Sequence, residues 1–241
     1  MKNIPIVILN KDRLVPTKML VESLHKKGYY NITIIDNQST YPLLLEWYAN
    51  SKLDVFYNNV AETKFDNGTF AVLAGKASYA PGVKHPKFSK IVEDYYIFTD
   101  SDVIPIDEIP DDFVEKIIQI HKKYNNSKHK IGLGLKLDDL PKHQILAQDA
   151  LQKEAPYWDG KIEEDGFELY PHPVDTTFAI YTPQSVPGWG ANCFRMGGNY
   201  MARHIPWYYD INNMPEDEIY YLKNLQENKG PYYSWKIKQM I

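Results

Sequence analysis

The chain opens on an uninterrupted apolar run, "IPIVILN" from Ile4 to Asn10. A run with no polar position inside it predicts a strand covered on both faces. Pro16 then starts "PTKMLVESLHKKG", where Met19, Leu20, Ser23 and Leu24 recur at helical spacing and Gly28 supplies the stop. The alternation repeats. "NITIIDNQST" predicts a second strand ending in Asp36, "YPLLLEWYANS" a second helix, "LDVFYNN" a third strand, "NGTFAVLAGKAS" a weaker helix and "DYYIFTDSD" a fourth strand. The clearest helix is "IPDDFVEKIIQIHKKY". Phe113, Ile117, Ile118 and His121 form one stripe, with Asp111 and Asp112 in the first turn and Lys122 and Lys123 in the last, as the helix dipole favours. Strand and helix in this order predict an α/β fold with a mostly parallel sheet flanked by helices.

The second half is patterned more loosely. "KIGLGLKLDDLP" predicts a strand and a polar turn, "HQILAQDALQKEAPYW" a helix, "HPVDTTFAIYTP" a strand bounded by prolines, and "PEDEIYYLKNLQENKG" an amphipathic helix. "GWGANCFRMGGNYMARHIPWYYD" mixes glycines, aromatic rings and polar groups, which predicts loops and short strands over a site. No linker, internal repeat or low-complexity segment interrupts the 241 residues, so one domain is the expectation.

Composition narrows the function classes. The net charge of -4 gives no electrostatic case for nucleic acid or an anionic membrane as the main partner. A polyanionic ligand would need a local device, a metal or a basic pocket. The single cysteine, Cys193, excludes an intrachain disulfide and a CxxC metal site. With no apolar run long enough for a signal peptide or a span, a cytoplasmic location is expected. The 19 tyrosines and five tryptophans favour a carbohydrate ligand, because aromatic faces stack on sugar rings. Neither GxGxxG after the first strand nor GxxxxGK[ST] occurs, which argues against nicotinamide cofactors and P-loop chemistry.

The stretch "YYIFTDSDVIP" raises a physical question. Two aspartates, Asp100 and Asp102, stand one residue apart where an apolar strand ends. In an extended strand both would point the same way, with Ser101 turned away. Two carboxylates on one point repel unless a cation lies between them. All-oxygen ligands suit Mg²⁺ or Mn²⁺, and the carboxyl edge of a parallel sheet is where ligands sit.

Together, "IPIVILNKDR", "ITIIDNQST" and "YYIFTDSDVIP" resemble the GT-A glycosyltransferases, closest to family 2-like members that use nucleotide-diphosphate sugars. The resemblance covers the first half well and the second loosely. It implies a nucleotide-sugar-binding half over residues 1–105 and an acceptor-binding half over 106–241. It places Asn10 and Arg13 near the nucleotide and Asp36 on the base, most naturally the uracil N–H. It puts Asp100 and Asp102 on a metal bound to the diphosphate, with Ser101 among the nucleotide-side residues. The wording after Asp36 departs from the family, with Asn37, Gln38 and Ser39 in place of another acid and Gly-Ser, which leaves the base identity open. Asp36 in "DNQS" is also a natural turn residue. His204, in "NYMARHIPWYYD", resembles the late histidine that several GT-A enzymes use as a further metal or diphosphate contact, and Arg203 beside it could meet phosphate.

An inverting transfer also needs a general base for the acceptor hydroxyl. Asp175, in "HPVDTTFAIY", is the candidate, with Asp138 and Asp139 as rivals that a pre-proline turn explains equally well. Trp189, Trp207 and Tyr208 could stack on sugar or close a small core, and Arg195 could bind an anion or lie on the surface. The expected activity is metal-dependent transfer of a sugar, UDP-linked, to a hydroxyl acceptor. Two alternatives are a sugar-phosphate nucleotidyltransferase, whose usual Gly-rich opening loop "ILNKDRLVP" lacks, and a non-catalytic carbohydrate-binding domain. Asp102→Ala is expected to abolish transfer and leave the fold intact.

Overall fold

A computed structural model describes residues 2–58, 86–124, 130–174, 177–183 and 192–225. The helix expected over 67–78, the candidate base Asp175 and Trp189 lie outside the described residues.

The first half holds β1 (Ile6–Asn10), α1 (Val15–Lys26), β2 (Ile32–Asp36), α2 (Pro42–Asn50), β3 (Asp54–Tyr57), α3 (Pro86–Ile91), β4 (Tyr96–Asp100), β5 (Val103–Pro105) and α4 (Phe113–Lys123); α3 and β5 were not expected, and the others follow the predicted order. Then come β6 (Lys130–Leu135), α5 (Ile145–Glu154), β7 (Ile162–Glu164), β8 (Phe167–Tyr170), β9 (Ala179–Tyr181), β10 (Cys193–His204) and α6 (Glu216–Asn224). Among the described residues ten strands form one sheet in the order β3-β2-β1-β4-β9-β6-β10-β8-β7, with β5 paired to β10. β1, β2, β3 and β4 are mutually parallel, β6 is parallel to β10, and β9 runs antiparallel between β4 and β6.

Both faces of the sheet are covered, as the apolar runs require. Along β1, Ile6 and Ile8 join Leu20 and Leu24 of α1 and Phe113 and Ile117 of α4 in one core. Val7, between them, joins Phe88 of α3 and Phe98 of β4 in another. Successive side chains on a strand point to opposite faces, so a helix on each side makes every position apolar. On α4 the predicted stripe of Phe113, Ile117, Ile118 and His121 is buried. Asp112 is the residue before its first turn, and Glu115 supplies the acid within it.

β10 is the main correction. Its segment was expected to be loops and short strands, yet Cys193–His204 is one strand of 12 residues. Its register against β6 shifts between Met196 and Met201, across Gly197 and Gly198. A Cβ on Gly197 would stand 2.8 Å from the Tyr170 ring, and Gly198 has φ +61 in the left-handed region. The two glycines therefore make a bulge inside a strand. The bulge lets the first half of β10 pair with β8 and the second half with β5. The strand expected in "HPVDTTFAIYTP" is β9 alone, where Tyr181 stacks on Tyr96 with ring centroids 5.3 Å apart.

Candidate active site

The sheet register aligns the carboxyl ends of the parallel strands: Asn10 beside Asp36, Asp36 beside Tyr57, and Leu9 beside Asp100. The chain leaves β1 toward β2 on one side, while β4 flanks it on the other. That reversal of strand order is where ligands bind in open α/β sheets.

Asn10 and Ser101 hold this edge together. Ser101 Oγ donates to Asn10 Oδ1 at 2.8 Å, and Asn10 Nδ2 donates to the Tyr48 hydroxyl at 2.7 Å. Both were placed near the nucleotide. The structure instead spends their side chains on tying the end of β1 to the turn after β4 and to α2. Asp12, which nothing in the sequence singles out, does similar work. With φ 56 it lies in the left-handed region. Its Oδ1 accepts from the backbone N–H groups of Thr40 and Tyr41 at 2.6 and 3.0 Å, joining the loops after β1 and β2.

Asp36 takes the turn role that the sequence allowed it. Oδ1 accepts from the Ser39 backbone N–H at 2.8 Å, closing a turn. Oδ2 is buried and makes no full hydrogen bond, the Tyr48 hydroxyl being its polar neighbour. Burial raises the Asp36 pKa, with the Ser39 bonds opposing the rise. A raised carboxylate pKa weakens the folded state as pH climbs from the ordinary carboxylate range through the raised value, and the penalty persists above it. Asn in this position keeps the acceptor for Ser39 and has no charge to bury. Asp36→Asn is therefore expected to melt a few degrees higher at pH 7 and to show no such gain at pH 3. Thermal melts at both pH values check this.

The aspartate pair departs from its predicted geometry. β4 stops at Asp100, and Ser101 and Asp102 form a turn into β5, so the two acids do not share an extended strand. Asp100 is partly exposed, and Asp102 is buried at 2 % exposure. Asp102 Oδ2 accepts from Arg13 Nη1 at 2.6 Å. His204 Nε2 lies 3.4 Å from the same oxygen. Oδ1 is buried without a hydrogen-bond partner.

Arg13 was expected beside the nucleotide. Its guanidinium is instead the buried cation between two carboxylates. Nε and Nη2 fork onto Glu218 at 2.7 and 2.9 Å, and the Tyr221 ring lies 4.0 Å away. Burial opposes the Arg13 charge, but Glu218 and Asp102 outweigh it and hold its pKa above the ordinary value. Burial likewise pushes Asp102 up, yet His204 and Arg13 prevail and keep it below the ordinary carboxylate range. Burial lowers the His204 pKa, against the pull of Asp102, so its imidazole is neutral near pH 7. The predicted metal residues Asp102 and His204 thus do meet, through the pairing of β5 with the end of β10.

The remaining candidates are placed elsewhere. Arg203, expected to meet phosphate, pairs with Asp139 at 2.7 Å, and the Tyr208 hydroxyl donates to the same carboxylate at 2.6 Å. Asp138 pairs with Lys136 at 2.7 Å. Trp207 is buried in the main core against His204. Arg195 is neither superficial nor available to an anion. It is buried, paired with Glu154 at 2.5 Å and donating to the Pro173 carbonyl at 2.7 Å. Glu218 and Asp217 were missed, because three acids in the first turn of a helix read as a solvated face that complements the dipole. Both are buried. Asp217 Oδ2 accepts from the Val15 N–H at 2.7 Å.

No protein-family model matches the chain, and no curated protein does. Solved structures with a faint likeness to the chain include glucosyl-3-phosphoglycerate synthase from Mycobacterium tuberculosis, in complex with phosphoglyceric acid, at 12% sequence identity and a TM-score of 0.36. The match covers 75% of this chain and 56% of that enzyme's length. A likeness this weak carries no weight in the functional reading, which rests on the residues at the sheet edge.

Proposed function

We propose that this chain is a glycosyltransferase of GT-A type that moves a sugar from a nucleotide-diphosphate sugar, UDP-linked, to a hydroxyl acceptor with inversion, aided by Mn²⁺ or Mg²⁺. One observation carries the reading. At the carboxyl edge of the parallel strands, Asp102 keeps a buried oxygen with no partner, beside the neutral imidazole of His204. An ionised carboxylate oxygen and a neutral imidazole nitrogen are a donor pair that fits a divalent cation.

Asp102 and His204 would hold the ion, with Asp100 on the same turn. Among the described residues no three acidic, histidine or cysteine side chains form a metal cluster by themselves. That suits Mg²⁺ or Mn²⁺, which takes one or two carboxylates and fills its shell from water and substrate phosphate. When bound, the ion supplies Lewis-acid neutralisation of the charge that builds on the leaving diphosphate. The need is real here, because Arg203, expected to meet phosphate, and Arg13, expected near the nucleotide, are both committed to carboxylates.

The chain's own residues supply recognition and proton transfer. Asp36 Oδ2 accepts a hydrogen bond from the base. Asn10, Ser101 and Asp12 keep the edge rigid, so that Asp36 and Asp102 stay at fixed separation. Asp175 takes the proton from the acceptor hydroxyl as it attacks.

A thermal-shift screen of nucleotide sugars with and without Mn²⁺ tests the proposal. A UDP-sugar at a hundred times its Kd is expected to stabilise the chain by about 2.7 kcal/mol, and only with the metal present. Pyrophosphate release from a nucleoside triphosphate and a sugar phosphate would make it a nucleotidyltransferase. Glycan binding with no response to any nucleotide would make it a lectin.

A further inference from the structure

Trp158 ends the short helical turn Ala155–Trp158 that follows α5. Its indole lies across Gly134 of β6, where a Cβ would stand 2.5 Å from the ring. Tyr170 of β8 meets the indole edge to face, with ring centroids 4.8 Å apart. The Tyr170 ring in turn covers Gly197 in the β10 bulge, 2.8 Å from where a Cβ would be. The Tyr170 hydroxyl donates to Glu168 Oε2 at 3.2 Å, and the Glu168 carboxylate reaches over Gly197 and Gly198. Two glycines thus give up side chains so that two rings can lie on the sheet.

The strand registers put this cluster in one row with Asp100. Phe98 of β4 and Gly132 of β6 both pair with Ala179 of β9. Two residues on, Asp100 and Gly134 stand level, and alternation turns both toward the face that holds Phe98 and Val174. Two strand spacings separate them, about 9.5 Å, which leaves a place for a donor sugar between Asp100 and the indole. Met196 pairs with both Leu133 and Leu169, so Gly197 and Glu168 continue the row. Core packing alone accounts poorly for the indole. A covered indole N–H ordinarily finds an acceptor. Trp158 Nε1 is buried with no hydrogen-bond partner among the described residues, while the residue as a whole stays partly exposed. Trp207, the stacking candidate from the sequence, is buried in the main core instead.

We propose that Trp158 is the floor of a saccharide acceptor site and Glu168 its polar rim. The C–H face of a sugar ring packs on the exposed side of the indole, and a sugar hydroxyl donates to the Glu168 carboxylate. That the sugar is the acceptor rests on the glycosyltransferase reading above; that a sugar binds here rests on this row of residues alone.

The test is saturation-transfer NMR on the full chain with the methyl glycosides of glucose, galactose, mannose and N-acetylglucosamine, with and without UDP and Mn²⁺, alongside tryptophan emission. At least one glycoside is expected to receive saturation at its C–H protons and to change the emission. Trp158→Phe keeps an aromatic floor, so binding should persist while the emission change disappears. Trp158→Ala should raise the glycoside Kd by at least about fivefold, the loss of a stacked ring. Glu168→Gln should raise it by about tenfold, the worth of a hydrogen bond to a charged group. Mn²⁺ affinity should not change in either variant, and circular dichroism follows their folding. If Trp158→Ala does not fold, the other two variants decide. No binding of any glycoside, an emission change that survives Trp158→Phe, or wild-type affinity in Glu168→Gln would overturn the proposal. UDP binding that still strengthens with Mn²⁺ would then leave the glycosyltransferase reading standing. Glycoside binding through Trp158 with no response to any nucleotide would uphold the sugar site and overturn that reading.

Discussion

Asp102→Ala is expected to lower turnover by more than about a thousandfold, the several kcal/mol that Lewis-acid stabilisation of a leaving diphosphate is worth. Mn²⁺ should then no longer strengthen UDP binding. The sequence alone suggests a substitution that leaves the fold untouched, because Asp102 reads as a ligand at a strand end. The structure changes that expectation. Asp102 is buried and accepts a charged hydrogen bond from Arg13. Losing it should cost about 1–3 kcal/mol, the value of a hydrogen bond to a charged group. The loss stops there because Arg13 keeps its fork onto Glu218. Kinetics with and without Mn²⁺, together with urea melts of the same variant, check both halves. Turnover that still responds to Mn²⁺ in Asp102→Ala would remove the ion from this site.

Arg13→Met should reverse the order of the two effects, with stability suffering most. It strands Asp102 and Glu218 in the interior without their shared counter-cation, and removing one partner of a buried pair costs about 3–5 kcal/mol. For a chain of this length, each kcal/mol lowers Tm by about 2–4 °C. The pH dependence should also change sign. In the wild type, Arg13 and His204 hold Asp102 below the ordinary carboxylate range against the effect of burial. That contribution is present above the ordinary carboxylate pKa and is lost as pH falls through the lowered value. In Arg13→Met the buried acids rise above the ordinary range, so acidification from pH 7 should restore stability until they are protonated. Melting curves between pH 7 and pH 4 distinguish the two slopes. A variant that loses stability on acidification as the wild type does would show that Arg13 is not the countercharge of this cluster.

The legible part of the site is the part that local pattern encodes. Apolar runs in β1, β2 and β4 reveal where strands end, and parallel register lines up those ends. Asn10, Asp36 and Asp100 could therefore be placed on one edge from the sequence. His204 was singled out as well, since an Arg-His-Trp cluster after paired glycines stands out. Its meeting with Asp102 needed the β10 bulge, which had read as a loop because glycines mark both. The roles within the edge were less legible. Asn10 and Ser101 carry the right chemistry for a ligand, and only their mutual hydrogen bond shows that they serve the scaffold. Arg203 and Arg195 are each matched to an acid from another element, Asp139 and Glu154.

By itself, the order of residues determined the α/β alternation, the strand termini and the identity of the acids at the sheet edge, because each follows from interactions between near neighbours in the chain. The tertiary structure alone decided which charges meet: Arg13 with Asp102 and Glu218, and His204 with Asp102. Coulomb energy depends on distance and on the surrounding medium, and only the packed chain sets either of them.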